Sequence, residues 1–254
     1  MNAWDGEKWR MEYTESSTDR AIRRESHCHA QYELIAVVEG DVSVIIEGKH
    51  YRLVGGWILL IPPLTYHSVT ANEGGRYRRV TALFGKDTIP EVLRPELERH
   101  GKKAYLAPSG CTEALGEACQ RTPTAHYAPL VQSLLIQILY EALQASETPP
   151  EVEGDDFLKK ALGYIDEHLQ EKILLDDLAR HTARSKSSLC HLFEAKMKIS
   201  PGRYILQKKL AFASKLIGEG TPHTVAARRV GYENYSNFYR LYRKALGKDS
   251  STGE

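Results

Sequence analysis

The sequence predicts a two-part chain of the α+β class. An antiparallel β-barrel with helices is expected over residues 1–145, and an all-helical domain with two helix–turn–helix units over residues 155–254. Three observations predict it. Residues 32–69 read as short alternating strands joined by glycine turns. Residues 146–154, SETPPEVEG, have the composition of a linker. Two stretches of the last hundred residues repeat one apolar pattern at an offset of 49.

The strand region is YELIAVVEGDVSVIIEGKHYRLVGGWILLIPPLTYHSV, punctuated by Glu-Gly-Asp, Glu-Gly-Lys and Gly-Gly. Its β-branched and aromatic residues alternate with polar ones, as a half-buried strand requires. YRRVTALF (77–84) is a further strand, and helical patterning takes over after about residue 90. The most apolar helix is 128–145, where Leu130, Val131, Leu134, Leu135, Ile138, Leu139 and Ala142 recur at i, i+3, i+4 spacing. Ile136 and Tyr140 widen that stripe beyond one contact face. The helix either packs only on its own barrel or also buries against a second copy of the chain.

Bulk properties narrow the class. With 42% hydrophobic and 26% charged residues, the 254-residue chain can fill two modest cores. The opening MNAWDGEKWRMEYTESSTDR lacks an apolar signal core, and no apolar run is long enough to span a bilayer. Cys28, Cys111, Cys119 and Cys190 show neither disulfide-framework nor zinc-type spacing, so a reducing cytoplasm is expected. Net charge is only +1, but residues 1–154 carry 16 Lys+Arg against 21 Asp+Glu, whereas residues 155–254 carry 18 against 12. From His181 onward the balance is 14 against 5, which suits a polyanionic partner.

The repeated stretches are SKSSLCHLFEAKM (185–197) and NYSNFYRLYRKAL (234–246). Leu189, Leu192 and Phe193 in the first correspond to Phe238, Leu241 and Tyr242 in the second. Ser185 and Asn234 are N-cap residues, and a short helix precedes each stretch: LDDLARH, and PHTVAARR with Thr221 as its expected cap. Short helix, turn and capped helix make a helix–turn–helix. Burying the apolar stripe leaves Lys186, Ser187, Cys190, His191 and Glu194 outward on one helix. Tyr235, Ser236, Asn237, Tyr239, Arg240 and Arg243 face outward on the other. Such side chains suit base edges and phosphate oxygens. The connecting helix within 200–220 spans roughly 25 Å at 1.5 Å per residue. That rod is long enough to hold two helices near the ~34 Å repeat of successive major-groove faces.

At the other end, HCHAQYELIAVVEG (27–40) sets His27, His29 and Glu33 where an extended chain can point them one way, with Cys28 opposite.

The last hundred residues resemble the DNA-binding domain of AraC/XylS-type transcription regulators, most diagnostically through AARRVGYENYSNFYRLYRKALG. The resemblance implies that both capped helices enter adjacent major grooves of double-stranded promoter DNA, with RNA polymerase as a further partner. It departs at Ala183 and Arg184, where glycine and an apolar residue are usual. His223 and Ala226 replace larger apolar residues, and Ser250 replaces a closing proline.

The first part resembles the two cupin motifs that often form the sensor barrel of such regulators. His27, His29, Glu33 and Gly40 fit H-x-H-x3-E-x6-G, while Gly56, Pro62 and His67 fit G-x5-P-x4-H. Leu64 stands where glycine is usual, and Asn72 lies one residue late. In metal-binding cupins the corresponding quartet, here His27, His29, Glu33 and His67, holds Fe, Mn, Ni or Zn. Three roles stay open for it: a divalent transition-metal site, a metal-free effector pocket flanked by Trp57 and Tyr66, or a structural rim.

The function expected is a ligand-responsive, sequence-specific DNA-binding transcription regulator. It would not be an enzyme, and it would form a homodimer through 128–145. The rival is a cupin-type metalloenzyme with an appended helical domain.

Overall fold

The computed structural model describes residues 2–5, 9–18, 22–23, 26–72, 75–100, 105–108, 110–120, 127–144 and 156–249. Residues 146–154, expected to be a linker, lie outside them, as does Ser250. Two compact units emerge, one of residues 1–26 and 31–152, the other of residues 153–254 with 27–30.

Among the described residues, the first unit has ten strands: β1 (Asn2–Asp5), β2 (Trp9–Thr18), β3 (Ile22–Arg23), β4 (Tyr32–Glu39), β5 (Asp41–Ile46), β6 (Lys49–Val54), β7 (Trp57–Ile61), β8 (His67–Ala71), β9 (Gly75–Phe84) and β10 (Tyr105–Pro108). Three α-helices accompany them among the described residues, α1 (Arg94–His100), α2 (Thr112–Gln120) and α3 (Tyr127–Gln144). The strands form two antiparallel sheets, β1-β2-β9-β4-β7-β10 and β3-β8-β5-β6. No ladder joins the sheets among the described residues, so the predicted barrel is two sheets around a shared core. Gly40 makes the sharp passage from β4 in one sheet to β5 in the other. It sits at φ 106°, and a Cβ there would lie 2.9 Å from the Arg76 carbonyl.

Strand alternation sends side chains to two different cores. Ile35, Val37, Leu59, Ile61 and Tyr77 meet Val42, Val44, Ile46, Leu53, Val69 and Ala71 between the sheets. Leu34, Ala36, Leu60, Val80, Ala82 and Phe84 face the other way, against Leu115 of α2 and Leu135, Ile138, Leu139 and Leu143 of α3. Of the stripe expected on α3, Leu135, Ile138 and Leu139 are sealed, whereas Leu130 and Tyr140 stay exposed at 41% and 53%.

Among the described residues, six helices build the second unit: α4 (Asp156–Glu167), α5 (Leu175–His181), α6 (Lys186–Met197), α7 (Pro201–Gly218), α8 (His223–Arg229) and α9 (Tyr235–Asp249). The 18-residue α7 is the central rod. Tyr204, near its start, meets the Phe193 ring of α6 edge-on at 5.3 Å. Leu210, Ala213 and Leu216 further along close a core with Ala226, Ala227, Val230, Phe238 and Tyr242. One expected detail shifts: α8 begins at His223 with Pro222 as its N-cap, not Thr221, because the Pro222 carbonyl accepts the first helical bonds from Val225 and Ala226. No described helix is long and apolar enough to cross a membrane.

Candidate functional site

Both expected N-caps form. Ser185 Oγ accepts from the Ser188 amide at 3.2 Å, and Asn234 Oδ1 accepts from the Asn237 amide at 3.0 Å. The caps set the phase of α6 and α9, so Leu189, Phe193, Phe238 and Tyr242 turn inward, with Leu192 and Leu241 half-buried at matching positions. Lys186, Ser187, His191, Tyr235, Ser236, Asn237, Tyr239, Arg240 and Arg243 are exposed as predicted, and Cys190 is half-buried. Arg240 Nη2 donates to Asn237 Oδ1 at 3.0 Å, and the Tyr235 and Tyr239 rings lie 5.8 Å apart. Lys186 Nζ reaches Asp176 Oδ2 at 3.1 Å on an exposed surface, a contact that costs little to exchange for a phosphate.

The two turns share more than their helices. In the first, the amides of Thr182, Ala183 and Arg184 donate to the carbonyls of Leu178, Arg180 and Ala179. In the second, those of Val230, Gly231 and Tyr232 donate to Ala226, Arg228 and Ala227. The hydrogen-bond pattern repeats at an offset of 48, while the N-caps repeat at 49, so the second turn holds one extra residue. The second turn is also tied from behind. Lys209 of α7, 7% exposed, donates to the Val230 carbonyl at 2.7 Å and to the Glu171 carbonyl.

The ligand atoms of His27, His29, Glu33 and His67 all lie within 4.8 Å of one another. They are not assembled by strand alternation as predicted. Residue 27 makes an isolated bridge, 30 and 31 bend, and β4 begins only at Tyr32, so a loop brings in the first two histidines. Glu33 and His67 are buried, and His67 Nε2 lies 2.7 Å from Glu33 Oε2. His67 Nδ1 is fixed by the Thr65 carbonyl at 2.9 Å, which points Nε2 into the cluster. Burial alone would depress the His67 pKa. The Glu33 carboxylate, with smaller help from Thr65 and Glu47, outweighs it and holds the imidazole above its ordinary value. Tyr66 is sealed at 2% exposure, with its backbone amide held by Glu47 Oε1 at 2.8 Å. Trp57, expected beside the quartet, pairs with Val37, whereas Glu33 pairs with Ile61. Four residues of strand, about 13 Å, separate those two levels.

Sequence reasoning missed Arg79. It is 4% exposed and lies level with Val37 and Trp57 on the face that carries the inter-sheet core. The available signal was the Arg78-Arg79 pair inside a strand: period-two alternation must turn one of them inward.

Residues 178–251 match the family model described as a helix-turn-helix domain. Residues 11–143, just over half of the chain, match that of the AraC-like ligand binding domain. The chain belongs to the AraC family of transcriptional regulators. It is 31% identical over 97 residues to the uncharacterized HTH-type transcriptional regulator YdiP of Escherichia coli K12, a match covering 38% of this chain and 32% of that protein. The chain thus spans about a third of that relative's length. Identity to YobQ of Bacillus subtilis 168, likewise an uncharacterized HTH-type transcriptional regulator, is 25% over 237 residues, covering 87% and 85% of the two chains. ToxT of Vibrio cholerae O395 aligns over 98% of this chain and 100% of its own, with 10% identity and a TM-score of 0.42. This AraC-family chain keeps left-handed backbone at two positions where the resemblance expects glycine: Leu64 has φ 63° and Ala183 φ 52°.

Proposed function

We propose that this chain is a ligand-responsive, sequence-specific transcription regulator whose two capped helices read promoter DNA. The observation that carries the reading is the second unit's repeated turn. One hydrogen-bond pattern, formed twice, presents two helix N-termini whose exposed residues are donors, acceptors and aromatics. Lys186, Ser187, Cys190 and His191 would serve one major groove. Tyr235, Ser236, Asn237, Tyr239, Arg240 and Arg243 would serve the next. The protein would work in the cytoplasm, beside RNA polymerase, and would perform no catalysis of its own.

Residues 1–145 would sense and dimerise, 146–154 would link, and 155–254 would bind DNA. Support for a homodimer is α3, where the apolar Leu130 and the aromatic Tyr140 stay exposed. An effector bound between the sheets would shift the regulator only by its differential affinity for two arrangements of the dimer. His27, His29, Glu33, Trp57, Tyr66 and His67 are the residues proposed for effector contact.

The same quartet favours a second reading of the sensor. Three imidazoles and a carboxylate, with Nδ1 of His67 held by a carbonyl, suit a divalent transition metal. His27, His29, Glu33 and His67 would hold it, and it would fix the loop before β4 and offer an open position to an effector. Elemental analysis of the purified protein decides between them. Metal that is lost in His29→Ala supports the metal centre, and its absence from wild type removes it. The regulator reading itself is tested by selecting binding sequences from random duplexes and titrating salt. Enrichment of one sequence, with affinity falling as salt rises, is expected. A chain that ignores duplex DNA at low salt is not a regulator of this kind.

A further inference from the structure

Buried arginines are normally paired, because removing an unpaired guanidinium from water is costly. Arg79 breaks that pattern. Its Nε is buried without a hydrogen-bond partner, and among the described residues no carboxylate forms an ion pair with it. Its guanidinium carbon lies 5.9 Å from the centre of the Tyr77 ring, a contact that shields the cation without neutralising it. The acid on the same face of β2, Glu12, instead accepts from Thr14 Oγ1 at 3.1 Å.

Besides Glu12, the neighbourhood holds hydroxyl donors. Arg79 pairs with Thr14 on one side and Val37 on the other, and Val37 pairs with Trp57, so these side chains form one row across the sheet. Thr81 lies two residues along β9, and Ser16 pairs with Tyr77 two residues the other way. Thr81 Oγ1 and Ser16 Oγ are both buried without partners. A cation and two hydroxyls thus face the interior on the β2–β9 ribbon, with the inter-sheet core around them apolar.

We propose that Arg79 anchors the carboxylate of an apolar-bodied organic acid, and that this acid is the effector class of the sensor. Guanidinium and carboxylate match in charge and in planar geometry, and the Ser16 and Thr81 hydroxyls can donate to the same oxygens. The acid's body would lie against the apolar residues of that core, Val37, Val42 and Leu53, and against Trp57. The carboxylate is therefore bound about four residue levels from Glu33, whose own negative charge would repel it. This inference rests on the regulator reading and names the ligand for it.

The test uses the full chain and its Arg79→Met and Arg79→Lys variants. Melting is followed with hexanoate, octanoate, benzoate and phenylacetate, each beside its uncharged primary amide. At least one acid should raise the wild-type Tm by roughly 2 °C or more while its amide does not. Arg79→Met should lose that shift, Arg79→Lys should keep part of it, and ligand-free Arg79→Met should melt no lower than wild type because a buried Nε without a hydrogen-bond partner has gone. A much lower melting point for ligand-free Arg79→Met makes Arg79 a structural residue and overturns the assignment. So do amides that stabilise as well as the acids, or wild type that responds to none of the four acids. Should Arg79→Met not fold, the acid-against-amide comparison on wild type and Arg79→Lys decides alone. Duplex-DNA affinity of the same wild-type preparation separates the two ideas: failure there counts against the regulator, and failure with the acids counts only against the effector class.

Discussion

His67 Nε2 and Glu33 Oε2 lie 2.7 Å apart inside the first unit, with side chains 1% and 8% exposed. In a pair so deeply buried, neutralising one member leaves the other's charge uncompensated, which destabilises the fold. The His67 pKa is held above the ordinary 6.5, against the opposing effect of burial, by the Glu33 carboxylate. In metal-free protein its contribution is therefore complete below about pH 6.5, where the unfolded imidazole is protonated too. It is lost as pH rises through the folded pKa. The melting temperature of the first unit should fall over that interval, and Glu33→Gln should flatten the fall. Calorimetry across pH in the presence of a chelator checks this. A bound metal gives the opposite slope, since the imidazole must shed its proton to ligate.

Ala183 and Gly231 close the two helix–turn–helix turns with the same hydrogen bond, and both have positive φ, 52° and 78°. Left-handed backbone strains any residue with a Cβ. Ala183→Gly should stabilise the second unit by about 0.5–1 kcal/mol, the released strain less the entropy that glycine adds to the unfolded chain. Gly231→Ala should do the reverse and more. Its Cβ would lie 3.0 Å from the Glu171 carbonyl oxygen and 3.2 Å from Lys209 Nζ, so a loss of about 1–3 kcal/mol is expected. Urea denaturation of the two variants measures both, and a shared sign would refute the equivalence of the turns.

Lys209 links those same groups. Its ammonium is the partner of two carbonyls, Val230 and Glu171, and burial lowers its pKa although the Glu171 carboxylate pulls the other way. Lys209→Met keeps the stem and leaves both carbonyls without that donor, which should cost about 3 kcal/mol. Duplex affinity should fall with it, because the turn before α9 loses its backing. If denaturation shows Lys209→Met as stable as wild type, the lysine is not what braces the turn.

What was legible in the sequence was local. The caps at Ser185 and Asn234 and the 3–4 stripes on α6 and α9 are written within a few residues, and each formed where expected. Pairing partners are not local. The short edge strand β10, ending at Pro108, carries too few alternating residues to separate it from the helical pattern around it, and only its ladder with β7 defines it. Trp57 sits close to the second cupin-like motif along the chain, yet the β4–β7 register carries it to the level of Arg79. Leu64 stands where glycine is usual and still takes φ 63°, so the departure changed the side chain and kept the turn. Arg79 was hidden for the same reason as Trp57. Alternation says that one of two adjacent arginines turns inward, and only the register says which residues it meets.

Arg240 and Asn237 are one helical turn apart on α9, joined by a 3.0 Å hydrogen bond and exposed together. That bond holds the guanidinium along the helix face, where its remaining donors can meet O6 and N7 of a guanine. Arg240→Ala should cost about 1–3 kcal/mol on the selected sequence and relax preference at a single base position. Arg243→Ala, one turn further from the helix N-terminus, should weaken selected and random duplexes alike and reduce the salt slope by about one, as loss of a phosphate contact does. Anisotropy titrations of both variants against both duplexes, at several salt concentrations, give the four affinities needed. Equal losses for Arg240→Ala on the two duplexes would place its guanidinium on the phosphate backbone, leaving Tyr235, Ser236 and Asn237 to carry the specificity of that helix.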